Sequence, residues 1–324
     1  MLVLVAAPGG PRRKSVRRWP FSCGAGLQAS DRPSRLLPNM VARLPKLGRH
    51  AAGLVACVIL SLLAVMAILA PWIAPSDPLA QARNDRFLAP SVAHPFGTDE
   101  FGRDILSRVI HGARISLLTG TVAVLMGALV GVPLGLLGGF AGGLTDAGIM
   151  RVLDFLLAVP AILLAMVIIA ILGPGSFNAM LAVGIVSIPS FARLTRASTL
   201  TLKERDFVVA TRALGVGPGY LMFRTILLNA LTPIVVQVAV TGAVAMLLEA
   251  ALSFLGLGTQ PPAPSWGSML NTGRSFLYQA PWYGLFPGAV ITLSVLSLNA
   301  LADALQAVVD RGGAGRVGSP ERTV

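Results

Sequence analysis

Between residues 51 and 309 the sequence runs through one long apolar stretch after another. A helix needs about 20 apolar residues to cross a hydrocarbon core, and several stretches reach that length. This constrains the chain more than any motif in it. Only 12% of residues are charged, and mean hydropathy is +0.74, whereas a soluble domain carries roughly 25% charged residues. The fold class read from this is all-α and integral to the membrane.

Six spans are read, at about 51–73, 115–140, 149–172, 179–194, 230–252 and 283–309. Pro71 and Pro75 close the first, as prolines do at a helix exit. The second contains Pro133 and many glycines, which membrane helices tolerate when neighbours satisfy the freed backbone groups. Gly127, Gly131 and Gly135 recur every four positions and mark a face that another helix can approach closely. Arg151 and Asp154 stand three apart at the entry to the third span, where they can pair on one helical face. GPGSFN (173–178) is a tight turn into the short fourth span, which has Pro189 near its end.

Charge orients these spans. Residues 1–50 hold ten Arg or Lys and one acid, Asp31, giving +9 of the net +12. They are rich in Pro, Gly and Ser, show no hydrophobic period, and read as a disordered cytoplasmic tail. No aromatic interleaving or binding fold accompanies the charge, so nucleic acid is not read as a partner. Met40, just before VARLPKLGRH, reads as an alternative start. Cys23 and Cys57 are not read as a disulfide, since one lies in the tail and the other in an apolar run. Residues 74–112 read as an extracytoplasmic segment; five Arg and five acids balance over 74–114. The remaining organisation is a core domain over 113–305 and a cytoplasmic tail over 310–324.

One polar island interrupts the apolar pattern, at about 195–229. It reads as a short helix (Phe207 to Leu214), a glycine break (Gly215, Gly217, Pro218, Gly219), and a second helical piece that runs on into the membrane. Residues 193–224 hold six basic side chains and two acids, Glu204 and Asp206, which puts this loop inside. Both termini are then cytoplasmic.

Several chemistries are missing. None of the three lysines (Lys14, Lys46, Lys203) sits in a G-x-x-x-x-G-K-[ST] phosphate cradle. The three histidines form no His-Glu-x-x-His metal motif, and Gly-x-Ser-x-Gly is absent. No catalytic residue, cofactor or metal ligand is assigned to this chain, so energy must come from a partner or an ion gradient. Glu249 and Asp303 fall near the ends of their spans and read as residues reaching water or a helix partner rather than as substrate ligands.

The island is similar to the cytoplasmic coupling loop of ATP-binding cassette importer permeases. The usual Glu-Ala-Ala aligns with Val209, Ala210 and Thr211, the following glycine with Gly215, and Ile-Leu-Pro-Asn with Ile226 to Asn229. Val209 replaces the usual Glu, and Leu228 the usual Pro. HPFGTDEFGRDILSRVIHGARISL (94–117), EAALSFLGLGTQPPAPSWGSML (249–270) and FPGAVITLSVLSLNALADAL (286–305) resemble the dipeptide/oligopeptide/nickel permease family, in particular its C-type subunit. The resemblance covers about residues 45–311.

It implies a type I ABC importer permease fold for the six transmembrane helices. It further implies uptake of peptides, with nickel or another small solute as the alternative substrate, across a bacterial or archaeal cytoplasmic membrane. The partners it implies are a second related permease, two ATPases that bind ATP and Mg, an extracytoplasmic solute-binding protein, and membrane lipid. The coupling residues it implies are Val209, Ala210, Thr211, Arg212, Ala213, Leu214, Gly215 and Arg224. The external loop with Gln260, Pro261, Pro262 and Trp266 reads either as a contact for the binding protein or as a structural lid, with Trp266 as an interfacial anchor. No substrate-binding residue is assigned. Two other classes stay open at this point, a self-sufficient secondary carrier and a channel or receptor-like scaffold.

Overall fold

In the computed structural model, backbone is described over residues 44–314 and side chains over 51–308. Residues 1–43, with Met40 and Cys23, and residues 315–324 lie outside that range. The elements in order are α1 (Leu44–Ile68), α2 (Ala70–Ile73), α3 (Ile105–Ala141), α4 (Gly143–Ala158), α5 (Ala161–Leu172) and α6 (Ser176–Leu202). After these come α7 (Asp206–Ala213), α8 (Pro218–Tyr220), a π-helical segment (Leu221–Ile226), α9 (Leu227–Phe254), α10 (Trp266–Ser275) and α11 (Trp282–Ala314). Among the described residues the one strand-like feature is an isolated bridge between Thr98 and Asp104.

Several boundaries differ from the sequence reading, each for a local reason. Helix α1 starts at Leu44, inside the stretch read as tail; its Pro45 falls in the first turn, where a missing N–H costs nothing. Helix α3 starts at Ile105 rather than near 115, because Asp104 caps it by accepting from the Ser107 amide at 2.8 Å. The fourth span is a full 27-residue helix with Pro189 inside it, not a short one ending there. Helix α11 continues to Ala314, past the expected start of the tail.

The largest difference is in the third span, which is broken. Pro160 has no amide proton and forces Val159 into extended backbone (φ −98°, ψ 132°). Helices α4 and α5 consequently meet at 90°. Among the described residues five helices are long and apolar enough to cross a membrane, or six with the bent pair counted as one span. That pair does cross from one end of the bundle to the other. Its start is tied to the end of α6, where Arg196 donates to both Asp146 oxygens at 2.5 Å. Its finish is tied to the far end of α9, where the Gly175 amide donates to the Leu257 carbonyl at 3.2 Å.

Helices α3 and α6 form the most extensive helix pair, and the glycine stripe explains why. A Cβ placed on Gly131 would stand 2.5 Å from the Ile188 carbonyl oxygen, and one on Gly127 2.7 Å from the Phe191 ring. At Gly135 it would strike the Ala192 carbonyl, and at Gly139 it would lie 2.8 Å from Thr199 Cβ. The face continues one turn beyond the three glycines read from sequence. Without a hydrophobic driving force between helices in lipid, such close backbone approach is what holds a pair together.

The segment 74–104 folds over one end of the bundle, and its charge balance is used internally. Asp99, fully buried, accepts from the Arg103 amide at 2.9 Å and from Arg103 Nε at 2.6 Å. Arg103 also donates to Glu100 at 3.0 Å, and Arg108 donates to the Pro78 carbonyl at 3.1 Å. His94 pairs with the capping Asp104 at 3.1 Å, and Phe96 stacks on Phe286 of α11 with centroids 3.9 Å apart.

Replacing Gly131 with leucine is expected to destabilise the bundle by about 1–3 kcal/mol, the usual cost of overpacking. Gly148→Leu, where a Cβ meets nothing within 4 Å, should leave stability unchanged. Thermal unfolding of the detergent-solubilised protein distinguishes the two.

Candidate functional site

The polar island folds on a clamped stem. At its start, Lys203 Nζ donates to the Gly139 carbonyl at 3.2 Å, next to the Arg196–Asp146 pair. Arg205 is extended (φ −76°, ψ 143°), and α7 begins after it. Asp206 lies in the first turn and Arg212 in the last, the polarity that suits the helix dipole.

Of the eight residues of α7, Val208 alone is buried. It packs with Leu136 of α3 and with Leu221, Met222 and Ile226 of the π-helical segment. Val209, Ala210, Arg212, Ala213, Leu214 and Gly215 are exposed and Thr211 is half-buried, its hydroxyl donating back to the Phe207 carbonyl at 2.7 Å. Leu214 is 83% exposed and Val209 52%. Phe207, Tyr220, Phe223 and Arg224 are exposed too. The result is a short helix riding on a single buried side chain, with an apolar and basic outer surface. Its length alone would make it marginal in water, and nothing in its sequence singled out Val208 beforehand; the anchor is legible only once Leu136 and the π-helical segment converge on it.

Gly215 ends α7 with φ +78°, and its amide donates to the Arg212 carbonyl at 3.0 Å. A side chain there would meet nothing within 4 Å, so the glycine is needed for backbone conformation and not for space. Gly217 differs: its φ is −65° and it caps α8, with Pro218 at the first helical position. From Pro218 the chain runs on through the π-helical segment into α9 as one 37-residue apolar span.

At the other end of the bundle, the loop with Gln260 to Trp266 is built differently from the sequence reading. Trp266 is fully buried, and its Nε1 donates to the Val109 carbonyl of α3 at 2.9 Å. It is an interior wedge between α10 and α3, not an interfacial anchor. Its neighbour Gly267 lets α10 close on α9, since a Cβ there would lie 2.5 Å from the Ala250 carbonyl. Ser265 and Ser268 form a capping box at the start of α10. Gln260 is exposed, but its amide donates inward to the Gly256 and Gly258 carbonyls at 3.0 and 3.1 Å. Pro261 and Pro262 face outward.

Glu249 lies just inside this loop and is 2% exposed. It does not reach water; it meets a helix partner. Ser116 of α3 donates to it at 3.1 Å and Ser253 at 2.8 Å, and Ser253 in turn accepts from the Thr259 amide at 3.3 Å. Asp303 is exposed. Asp154 pairs with Arg193 of α6 at 2.6 Å rather than with Arg151. Sequence spacing offers only the neighbour three residues away; the broken span turns α4 so that its acid faces α6.

Residues 131–313 match the family described as "Binding-protein-dependent transport system inner membrane component". The chain belongs to that family. Residues 44–90 of the permease also match the "N-terminal TM domain of oligopeptide transport permease C". It is 44% identical over 289 residues to the di/tripeptide transport system permease protein DppC of Pseudomonas aeruginosa, covering 87% of this chain and 95% of that one. It is 43% identical to the dipeptide permease DppC of Alkalihalophilus pseudofirmus, covering 82% of this chain and 87% of the relative. The glutathione transport permease GsiD of Pectobacterium atrosepticum is also 43% identical, with 82% and 88% covered. Among solved structures, the permease resembles a chain of the inward-facing MetNI methionine ABC transporter at a TM-score of 0.47 and 20% identity, over 64% of this chain and 95% of that one; a likeness this loose adds nothing to the assignment.

Two outcomes test the site geometry. Gly215→Ala should cost about 1–2 kcal/mol of local stability, the strain of a left-handed backbone on a residue with a Cβ, while Gly217→Ala, at φ −65° with open space around it, carries no such strain and should cost less. Proteolytic nicking of the loop in membranes reads the difference. Glu249→Leu should destabilise the permease by about 1–3 kcal/mol by leaving two buried hydroxyls without their acceptor, and Glu249→Gln, which keeps one acceptor oxygen, by less; thermal unfolding compares them.

Proposed function

We propose that this permease forms half of the translocation path of an ATP-binding cassette importer for short peptides, in the cytoplasmic membrane of a bacterium or archaeon. The observation that carries the reading is 43–44% identity, over more than four-fifths of the chain, to permeases named for di- and tripeptides, dipeptides and glutathione. A second permease of the same kind completes the path. Two cytoplasmic ATPases bind ATP and Mg, and an extracytoplasmic binding protein delivers the solute.

The exposed surface of α7 supports docking into an ATPase groove, a helix-in-groove contact. Ala210, Ala213 and Gly215 permit close approach, and Arg212 and Arg224 offer donors to acidic or carbonyl groups there. Val209, where relatives of this loop carry Glu, makes the contact more apolar. The basic excess of this loop supports a cytoplasmic location, and six crossings then return both ends of the described chain to that side. The outward prolines Pro261 and Pro262 support a contact with the binding protein; buried Trp266 shapes that loop from beneath.

The test is uptake of radiolabelled Ala-Ala in a strain without other peptide importers, with this permease expressed alone or with its partner permease, ATPases and binding protein. Uptake should require every subunit and stop on ATP depletion with the ion gradient held. Uptake by this chain alone after ATP depletion would identify a secondary carrier and sink the proposal, and so would downhill flux without partners. Nickel uptake without Ala-Ala uptake would reject the substrate and keep the machinery.

A further inference from the structure

Most side chains exposed on the membrane-spanning helices are apolar, as lipid requires. The groove between α6 and α9 is different. Midway along it lies a cavity of about 280 Å³ at the break between α4 and α5, walled by Ser187 and Ser190 of α6 and Gln237 and Thr241 of α9. Toward the polar island a second hollow of about 350 Å³ follows between the same two helices, lined by Ser198, Thr201, Asn229 and Pro233. Residues 190, 197, 198 and 201 recur at helical spacing on α6, as do 229, 233, 237 and 241 on α9. The two hollows are therefore successive stretches of one furrow.

Three observations say that this furrow faces water and not lipid. First, the cavity wall carries four neutral polar side chains, Ser187, Ser190, Gln237 and Thr241, among apolar ones. The hydroxyls of Ser187 and Thr201 donate to their own helix at 2.8 and 3.1 Å, and Gln237 donates to Thr241 at 3.1 Å. Lone pairs and the Gln237 carbonyl stay available. Second, irregular backbone at membrane depth survives only where it is buried in protein or lines a wet cavity, and the Val159–Pro160 break forms the side of the cavity. Third, the Arg193–Asp154 pair flanks the furrow, three residues on from Ser190, with both side chains more than half exposed (53% and 59%). Charged groups within a span face a bundle interior or a water-filled cavity. Arg193 stands nine residues before the end of α6, about 14 Å of helix, at the polar-island end of the span.

We infer that the α6–α9 furrow is this subunit's share of the solute path, and that it handles a zwitterionic short peptide through its backbone. This rests on the peptide-import reading above. Neutral hydroxyls and amides match peptide N–H and C=O groups whatever the side chains are. The absence of a fixed charge at the cavity keeps binding weak enough for release, while the self-neutralised Arg193–Asp154 pair offers one group of each sign to the two ends of a passing solute. Val186, Val244 and Leu248 also line the cavity, apolar side chains of the kind that can close a path by excluding water.

The test uses the full transporter in membranes, with Cys23 and the exposed Cys57 replaced by alanine. Ser190→Cys, Thr201→Cys and Asn229→Cys should react with a charged, membrane-impermeant methanethiosulfonate added from the cytoplasmic side, and Leu129→Cys, on an exposed apolar face of α3, should not. Ser190→Phe should lower Ala-Ala uptake about tenfold or more, equivalent to the loss of one good hydrogen-bonding contact or greater, with the ATPases still co-purifying. Unreactive furrow cysteines overturn the inference. So does disulfide trapping of these cysteines to the second permease across a closed seam, or normal uptake by both Ser190→Phe and Gln237→Leu. If the unmodified transporter takes up no Ala-Ala, the peptide reading fails on its own, and the thiol pattern still decides whether the furrow is an aqueous path.

Discussion

The close packing of α3 on α6 is the constraint on which the rest of the permease depends. It is backbone against backbone, with Gly127, Gly131, Gly135 and Gly139 lying within reach of the carbonyls and small side chains of 188–199. Everything functional hangs on one of these two helices. Helix α6 carries the start of the polar island and one wall of the furrow. Helix α3 gives Val208 its seat at Leu136, receives the Trp266 indole at Val109, and supplies Ser116 to Glu249. A membrane offers no hydrophobic reward for bringing helices together, so this geometric fit has to substitute for it.

The two ends of the bundle are held by different chemistry. At the end covered by 74–104, three buried carboxylates are hydrogen-bonded, Asp99 by Arg103, Asp104 by Ser107, and Glu249 by Ser116 and Ser253, while one Glu100 oxygen is buried without a partner. Breaking such groups is costly because the survivor is left buried and unpaired. At the polar island the ion pairs are more open, as with Arg196–Asp146 and Arg193–Asp154, and the protruding helix has one buried residue. One end therefore buries its charged groups and the other leaves them open to solvent.

Much of this was legible in the sequence, because membrane burial writes itself as composition. The long apolar runs, the four-residue glycine spacing, the basic island and the family resemblance all follow from strong local signals. What was not legible depends on tertiary placement. The break at Pro160 was hidden inside an apolar run. Asp154 found Arg193 because the break turned α4, whereas sequence could offer only Arg151 as a neighbour. Trp266, an amphipathic side chain in a proline-rich loop, had the composition of a surface anchor and became an interior wedge because Gly112 and Gly267 leave room for it. The balanced charges of 74–114 gave a net sum but not the pairing.

The continuity of Pro218 through Phe254 has a mechanical consequence. This is one continuous apolar span of 37 residues, with a π-helical turn at Leu221–Ile226 and Pro233 inside it, its near tip beside α7 and its far part holding Glu249. The π-helical turn and Pro233 are the two places where it bends. A tilt of the near tip reaches the far one only through these two points, so the permease has at this helix a hinged lever rather than a rigid one.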